Sequence, residues 1–181
     1  MNAVEIDGIE IFSVKKFSDH RGFFCETYTR RVHPDRDFVQ DNISMSADAG
    51  TVRGLHYQAP PFPQGKLVTV LSGAVFDVAV DIRRSSPTFG RWFGLELTSE
   101  RMNQILIPHG FAHGFCTLAP NTLVFYKADA LYSSAHDCGI LWNDPELAIA
   151  WPVGPQRAIL SDKDRGLPRL CEIETPFDYR G

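Results

Sequence analysis

Hydrophobic and polar positions alternate with a period of two along much of this chain. From Val75 to Ile82 the sequence runs V-F-D-V-A-V-D-I. Phe76, Val78, Val80 and Ile82 therefore share one face, and Val75, Asp77, Ala79 and Asp81 the other. That spacing predicts a half-buried β-strand. Lys66 to Leu71 (K-L-V-T-V-L) predicts a second strand, with Ser72-Gly73 as a tight hairpin turn between the two. Further strand-like runs cover residues 92–97, 104–107, 114–118 and 122–127, punctuated by Pro87, Gly90, Pro108, Gly110, Pro120 and Asn121. Upstream, residues 9–14, 22–28 and 42–47 also read as extended. Helical periodicity is weak. Pro34 to Val39 and Asp144 to Ile149 are the two segments with short-helix character, and no window sustains an apolar helical stripe over three turns. Many short strands at regular spacing predict an all-β sandwich or barrel, with its core over about 40–130. The Pro- and Gly-rich end, 151–181, is expected to wrap irregularly on the barrel within one domain spanning 1–181.

Composition agrees with a globular protein. Hydrophobic residues make up 44% and charged residues 22% of 181 residues, enough to bury a core and too apolar for disorder. The net charge of -4 gives no sign of a nucleic-acid binder, so an anionic ligand would need a local basic pocket. Cys25, Cys116, Cys138 and Cys171 are scattered without C-x-x-C spacing, as expected of a reducing cytoplasm. Met1 to Gly8 lacks the pattern of a signal peptide, and no apolar run reaches the ~18–20 residues of a membrane span.

Four stretches carry candidate chemistry. In V-R-G-L-H-Y-Q-A-P-P-F-P-Q-G-K, Val52 to Lys66, a histidine leads into a proline-stiffened loop and a lysine opens the next strand. If the first part is a strand, Arg53, Leu55 and Tyr57 face one way and Gly54, His56 and Gln58 the other. His56 then lines a barrel, as a hydrogen-bonded core histidine or as a base held by a carboxylate. In I-P-H-G-F-A-H-G-F, Ile107 to Phe115, the spacing Pro-x-Gly-x-x-His matches the second half-motif of cupin barrels, where the histidine often binds metal. The first half-motif is incomplete, because Gln58 stands where a second histidine is normal and no acid follows. His56 and His113 fall short of the ~3 protein ligands a metal site needs, so no metal is expected. His109 reads as a loop residue. Tyr126 and Tyr132 belong to L-V-F-Y-K-A-D-A-L-Y-S, where packing is the plainer role for each. L-S-D-K-D, Leu160 to Asp164, read alone is a solvated charged turn.

Taken together, these strings resemble one family nearly end to end, from about Gly8 to Pro168: the dTDP-4-dehydrorhamnose 3,5-epimerases, cupin-fold enzymes of deoxysugar synthesis. The resemblance rests on D-H-R-G-F-F, F-V-Q-D-N, R-G-L-H-Y-Q, Q-G-K, V-F-D-V-A-V-D-I-R, S-P-T-F-G, I-P-H-G-F-A-H-G-F, I-L-W-N-D-P and S-D-K-D, in that order. It implies a cupin-type jelly roll with no cofactor that epimerises dTDP-4-dehydro-6-deoxy-glucose at C3 and C5. It further implies His56 as general base oriented by Asp164, Tyr126 as acid on the opposite face of the sugar, and Lys66 beside the ketone oxygen. Arg21, Arg53 and Lys163 would lie around the diphosphate. Gln40 and Asn42 would help bind the nucleotide, Glu26 and His113 would help hold the ligand, and Tyr132 would stack on thymine. Asp137 falls where the family often has a longer Glu, and His109 where it often has a Glu. A homodimer is implied, with the Arg21 segment reaching the neighbouring site. Alternatives are a C3-only or C5-only epimerase, a metal-dependent cupin oxygenase and a non-catalytic sugar-nucleotide binder.

Overall fold

The computed structural model describes residues 6–31 and 36–180. In chain order its strands are β1 (Glu10–Ser13), β2 (Lys16–Asp19), β3 (Gly22–Cys25), β4 (Gln40–Ser46), β5 (Val52–Gln58), β6 (Lys66–Ser72), β7 (Ala74–Asp81), β8 (Trp92–Thr98), β9 (Asn103–Ile107), β10 (Phe111–Thr117), β11 (Thr122–Ala128) and β12 (Asp137–Gly139). The one α-helix among the described residues is α1 (Asp162–Arg165). Two five-stranded antiparallel sheets face each other, in orders β1-β9-β6-β11-β4 and β12-β5-β10-β7-β8, while β2 and β3 form a separate hairpin. From β4 to β12 the chain crosses between sheets at nearly every connection, which makes the architecture a jelly roll, in keeping with the all-β expectation.

The crossing corrects one expectation. Ser72-Gly73 is not a hairpin turn, because β6 and β7 belong to different sheets. It is a corner. Gly73 has φ +78, and a Cβ there would lie 2.4 Å from Thr122 Oγ1, so both backbone conformation and space call for glycine.

A second correction concerns β7, which is buried on both faces. Val75 and Ala79 join Val68, Val70, Ile105, Ile107, Phe115 and Val124 in the core between the sheets. Val78, Val80 and Ile82 on the other face pack with Leu55, Ala112, Ile140, Leu147 and Leu170. The chain from Ile140 onward thus covers the outer face of the second sheet. Alternation of apolar residues with Asp77 and Asp81 suggested a wet face, but each carboxylate has buried partners. Burying each large aliphatic side chain contributes about 1.5–3 kcal/mol, so the C-terminal segment adds to the core as well as covering it.

Neither expected helix forms among the described residues. Pro34 and Asp35 lie outside them, and Arg36 to Val39 are non-helical, with Val39 N–H already donating to Ala128 O at 2.9 Å. Residues 144–149 make turns, held where Asp144 Oδ1 accepts from Glu146 N–H and Asp144 Oδ2 from Leu170 N–H. The carboxylate of Asp144 is thereby committed to tertiary contact as well as to a cap.

Asp81 is fully buried and accepts from Arg83 Nε and Nη2, Ser86 Oγ and Thr88 Oγ1 at 2.6–2.9 Å. Burial alone would raise its pKa, but these donors hold it below the usual carboxylate value. Asp81→Ala would leave the largely sheltered Arg83 guanidinium with only the exposed Asp7 carboxylate, 3.9 Å away, as counter-ion. We expect a loss of about 3–5 kcal/mol in urea unfolding. A loss under about 1 kcal/mol, the scale of an exposed ion pair, would contradict this account.

Candidate active site

One end of the space between the sheets opens into a cavity of about 470 Å³. Its wall takes His56 and Arg53 from β5, His113 from β10, Lys66 from β6, Tyr126 from β11, and Lys163 and Asp164 from α1. His56 and His113 stand directly opposite each other in the second sheet. Tyr126 and Lys66 lie in the first, where Tyr126 pairs with Val68 and Lys66 with Ala128, so all four residues share one face. The imidazole and the phenol therefore enter the same cavity from opposite walls.

The shape of β5 explains why Arg53 joins His56. Strict alternation puts them on opposite faces. Pairing with β10 runs from His113↔His56 to Phe115↔Arg53, two steps on β10 against three on β5. The extra residue is a β-bulge, which reverses the parity of everything before it. It lies at Gly54, with φ +125, where a Cβ would sit 2.5 Å from Gly114 Cα.

His56 Nε2 is 2.6 Å from Asp164 Oδ1. Asp164 is buried, so L-S-D-K-D is not a solvated turn. Ser161 caps α1 by accepting from Asp164 N–H at 3.1 Å, which turns the carboxylate inward. Burial pushes the Asp164 pKa up, but hydrogen bonding to His56, the imidazole's charge, the Ser161 hydroxyl and the Gly54 N–H hold it below the ordinary value. The arrangement fixes the orientation of the ring.

A second His–Asp pair lies deeper. His113 Nε2 is 2.9 Å from Asp77 Oδ2, with both residues buried, and Asp77 Oδ1 has no hydrogen-bond partner among the described residues. The sequence pattern does not single out Asp77, which holds His113 from behind the cavity wall. The available signal was a charged residue between Val75 and Ala79 on a face that otherwise packs.

Lys66 Nζ lies 5.8 Å from the centroid of the Tyr126 ring. Burial lowers the Lys66 pKa from 10.5 to about 8, against the opposing pull of Asp137 and Asp77. Burial also raises the Tyr126 pKa, with Arg53 pulling it down and Asp137 pushing it up, so the phenol stays protonated at neutral pH. Arg53 is steadied by Ser46 Oγ at 3.2 Å and by Met45 O at 3.0 Å.

The remaining expected residues lie outside this cavity wall. Asp137 accepts from Lys163 Nζ and, at 2.8 Å, from Tyr132 OH, forming a bridge beside the mouth. Gln40 Oε1 accepts from Tyr132 N–H and Gln40 Nε2 donates to Asn42 Oδ1, both at 2.8 Å, so Gln40 holds the tyrosine's backbone. Asn42 faces Tyr126 in register, and its Nδ2 is buried without a partner among the described residues. Arg21 sits at the tip of the β2–β3 hairpin, paired with Asp19 and 78% exposed. Glu26, just past β3, is also exposed. Gln58, the residue in place of a cupin histidine, donates to Leu131 O at 3.0 Å and accepts from Ser133 N–H at 2.8 Å, so its amide holds a loop.

A jelly roll with a carboxylate-held imidazole facing a phenol and a lysine across a cavity defines an acid–base barrel of the cupin class. The comparisons narrow the class. A family model described as dTDP-4-dehydrorhamnose 3,5-epimerase matches residues 3–172. The Shigella flexneri enzyme of that name is 50% identical over 171 residues, 91% of this chain and 93% of its own. The dTDP-6-deoxy-D-glucose-3,5-epimerase of Legionella pneumophila, solved with dTDP-4-keto-L-rhamnose, superposes with a TM-score of 0.93 at 42% identity, covering 99% of this chain and 97% of its own. A 3'-monoepimerase from Streptomyces bikiniensis, solved with dTDP-quinovose, superposes at 0.86 with 32% identity, covering 94% and 88%. This chain belongs to the dTDP-4-dehydrorhamnose 3,5-epimerase family.

Lys66 makes stability depend on pH. Unfolded, it keeps its proton up to about 10.5; folded, only to about 8. Between those values the unfolded state binds more protons, so this group's contribution to stability rises with pH. Urea midpoints measured on either side of that window should rise more in the wild type than in Lys66→Met. Equal pH slopes for the two proteins would refute the burial of a charged amine.

Proposed function

We propose that this protein epimerises dTDP-4-dehydro-6-deoxy-glucose at C3 and C5, giving dTDP-4-dehydro-rhamnose through enolate intermediates. The observation that carries the reading is the placement of His56 and Tyr126 on opposite walls of one cavity, with Lys66 on the wall of Tyr126. The C3 and C5 hydrogens flank the C4 ketone. His56 takes a proton from one face of the sugar, the electron pair moves into the C4–O4 enolate, and Tyr126 returns a proton from the other face. Asp164 keeps the imidazole oriented and stabilises it once protonated. Lys66 meets the negative charge on O4 in a site where water is scarce, where a fixed charge is worth most. Family membership supports the same residue roles.

The nucleotide end follows from charge. Arg53 and Lys66 face the cavity without a carboxylate ion-pair partner among the described residues, and Lys163 stands at its rim. We assign the diphosphate to Arg53 and Lys163, the thymine to the exposed ring of Tyr132, and supporting contacts to Gln40, Asn42, Glu26, His113 and Asp137. We further propose a homodimer in which Arg21 of one copy reaches the other's site. The β2–β3 hairpin supports this, because Phe17, Phe23 and Phe24 are 53–67% exposed beside Arg21. Residues 1–181 act as one functional domain in this reading, and the four free cysteines agree with a cytoplasmic setting. The likeness to a 3'-monoepimerase favours single-site epimerisation as the second reading.

Incubation with dTDP-4-dehydro-6-deoxy-glucose in D₂O separates the two. We expect deuterium and inversion at both C3 and C5, whereas inversion at one carbon alone would establish the second reading. His56→Ala should reduce solvent exchange by at least about 10²-fold. Tyr126→Phe should still exchange but invert poorly, and an exchange loss equal to that of His56→Ala would contradict the two-wall scheme. Lys66→Ala should lower kcat by about 10²-fold with a smaller change in KM, while an effect on KM alone would remove its enolate role. Because the ammonium must stay charged, kcat should fall as pH rises through about 8. Persistence of that limb in the residual activity of Lys66→Met would assign it to another group.

A further inference from the structure

Lys66 occupies the first position of β6, where a strand end is free to shift unless something holds it. Its neighbours in register are Ile107 on β9 and Ala128 on β11. Just beyond those two residues the flanking strands meet again over the entrance of β6. His109 follows β9, Asp129 follows β11, and His109 Nε2 lies 3.0 Å from both carboxylate oxygens of Asp129. The same carboxylate accepts from Gly65 N–H at 2.7 Å, and Asp129 N–H donates back to Gly65 O at 3.2 Å. Arg36 adds a looser contact to Asp129 at 3.9 Å. The fit is close, because a Cβ on Gly65 would lie 2.6 Å from Asp129 Oδ2. The side chain of Asp129 is 11% exposed, so its bond to Gly65 is largely sheltered, while the His109 ring, 44% exposed, closes the staple from the solvent side.

We infer that His109 and Asp129 form a staple across the two strands flanking β6 which, by gripping Gly65, positions Lys66 for its part in the reaction. Both are positioning residues that act through Lys66. The inference rests on the enolate role proposed for that lysine. A carboxylate is suited to the task because its two oxygens serve two donors at once, one on the imidazole and one on the backbone. The geometry needs no charge on the histidine, since a neutral imidazole with its proton on Nε2 also donates. Small displacements at such a distance from the reacting atoms are costly to turnover and mild for binding, because the nucleotide end of the ligand is held elsewhere.

The test is a double-mutant cycle read with kcat, KM and backbone amide exchange. Asp129→Ala should lower kcat about 10-fold with KM within about 2-fold. His109→Ala should lower kcat less, because the bond to Gly65 remains. Asp129→Asn should stay within about 2-fold of wild type, since its amide oxygen still accepts from Gly65. In a Lys66→Met background, adding Asp129→Ala should change the residual rate by less than about 2-fold. The Gly65 amide should lose protection in Asp129→Ala while Val68 and Val70 keep theirs, which separates local release from unfolding. An equal loss of rate in both backgrounds, or wild-type kcat in Asp129→Ala, overturns the inference. If instead Lys66→Met alone leaves kcat unchanged, the enolate role fails, and the amide exchange still reports whether the staple exists.

Discussion

The hydrogen bond between His56 and Asp164 is the contact on which the site depends. Its partners are 108 residues apart in sequence and meet at 2.6 Å. It forms only if the chain after β12 returns across the second sheet and brings α1 to the barrel mouth. The return has its own driving force in Trp142, Trp151, Leu147, Leu170 and Phe177, which cover apolar residues that the sheet would otherwise expose. Trp151 Nε1 donates to Trp142 O at 2.7 Å and Trp92 Nε1 to Leu147 O at 3.0 Å, so these two partly buried rings keep their donors satisfied. Hydrophobic cover and the His56–Asp164 contact therefore form together.

Much of this was legible in the sequence, and the failures have definite causes. Period-two alternation located nine of the strands to within a few residues, because those strands carry β-branched and aromatic side chains between turn residues. It missed β2 and β12, which are short and polar and are ordered by pairing with β3 and β5. It placed a hairpin at Ser72-Gly73 because a two-residue turn and a corner between sheets have the same local chemistry. Residues 144–149 look helical because an Asp followed by Pro, Glu, Leu and Ala matches a helix start, yet Asp144 is also claimed by Leu170 N–H from the wrap. In each case a distant partner decided what local preference had left open.

The site shows the same division. His56, Lys66, Arg53, Tyr126, His113, Lys163 and Asp164 line one cavity, but only their residue types and order were visible beforehand. Alternation separated Arg53 from His56, and a single extra residue at Gly54 reunites them. A bulge cannot be read from hydrophobic pattern, although a glycine in the middle of a strand is the standing hint of one. Asp77 was hidden for the opposite reason. Its environment is that of a core position, and only the tertiary contact with His113 makes a carboxylate stable there.

Charge pairing then explains how an acidic protein keeps a basic cavity. Lys163 is matched by Asp137, His56 by Asp164 and His113 by Asp77. Lys66 and Arg53 have no such partner among the described residues, and their consequences differ. Arg53 faces water and backbone oxygens, where a guanidinium stays charged at little cost. Lys66 is half-buried at the cavity wall, and desolvation of its ammonium lowers the pKa to about 8. A partly desolvated ammonium without a carboxylate partner is less favourable in the resting protein than beside an anion. In the enolate scheme proposed for Lys66, such a group would stabilise a state with negative charge at O4 more than one without it, which is the condition for accelerating a reaction and not merely tightening binding. A carboxylate placed against Lys66 would relieve the resting protein and forfeit that difference.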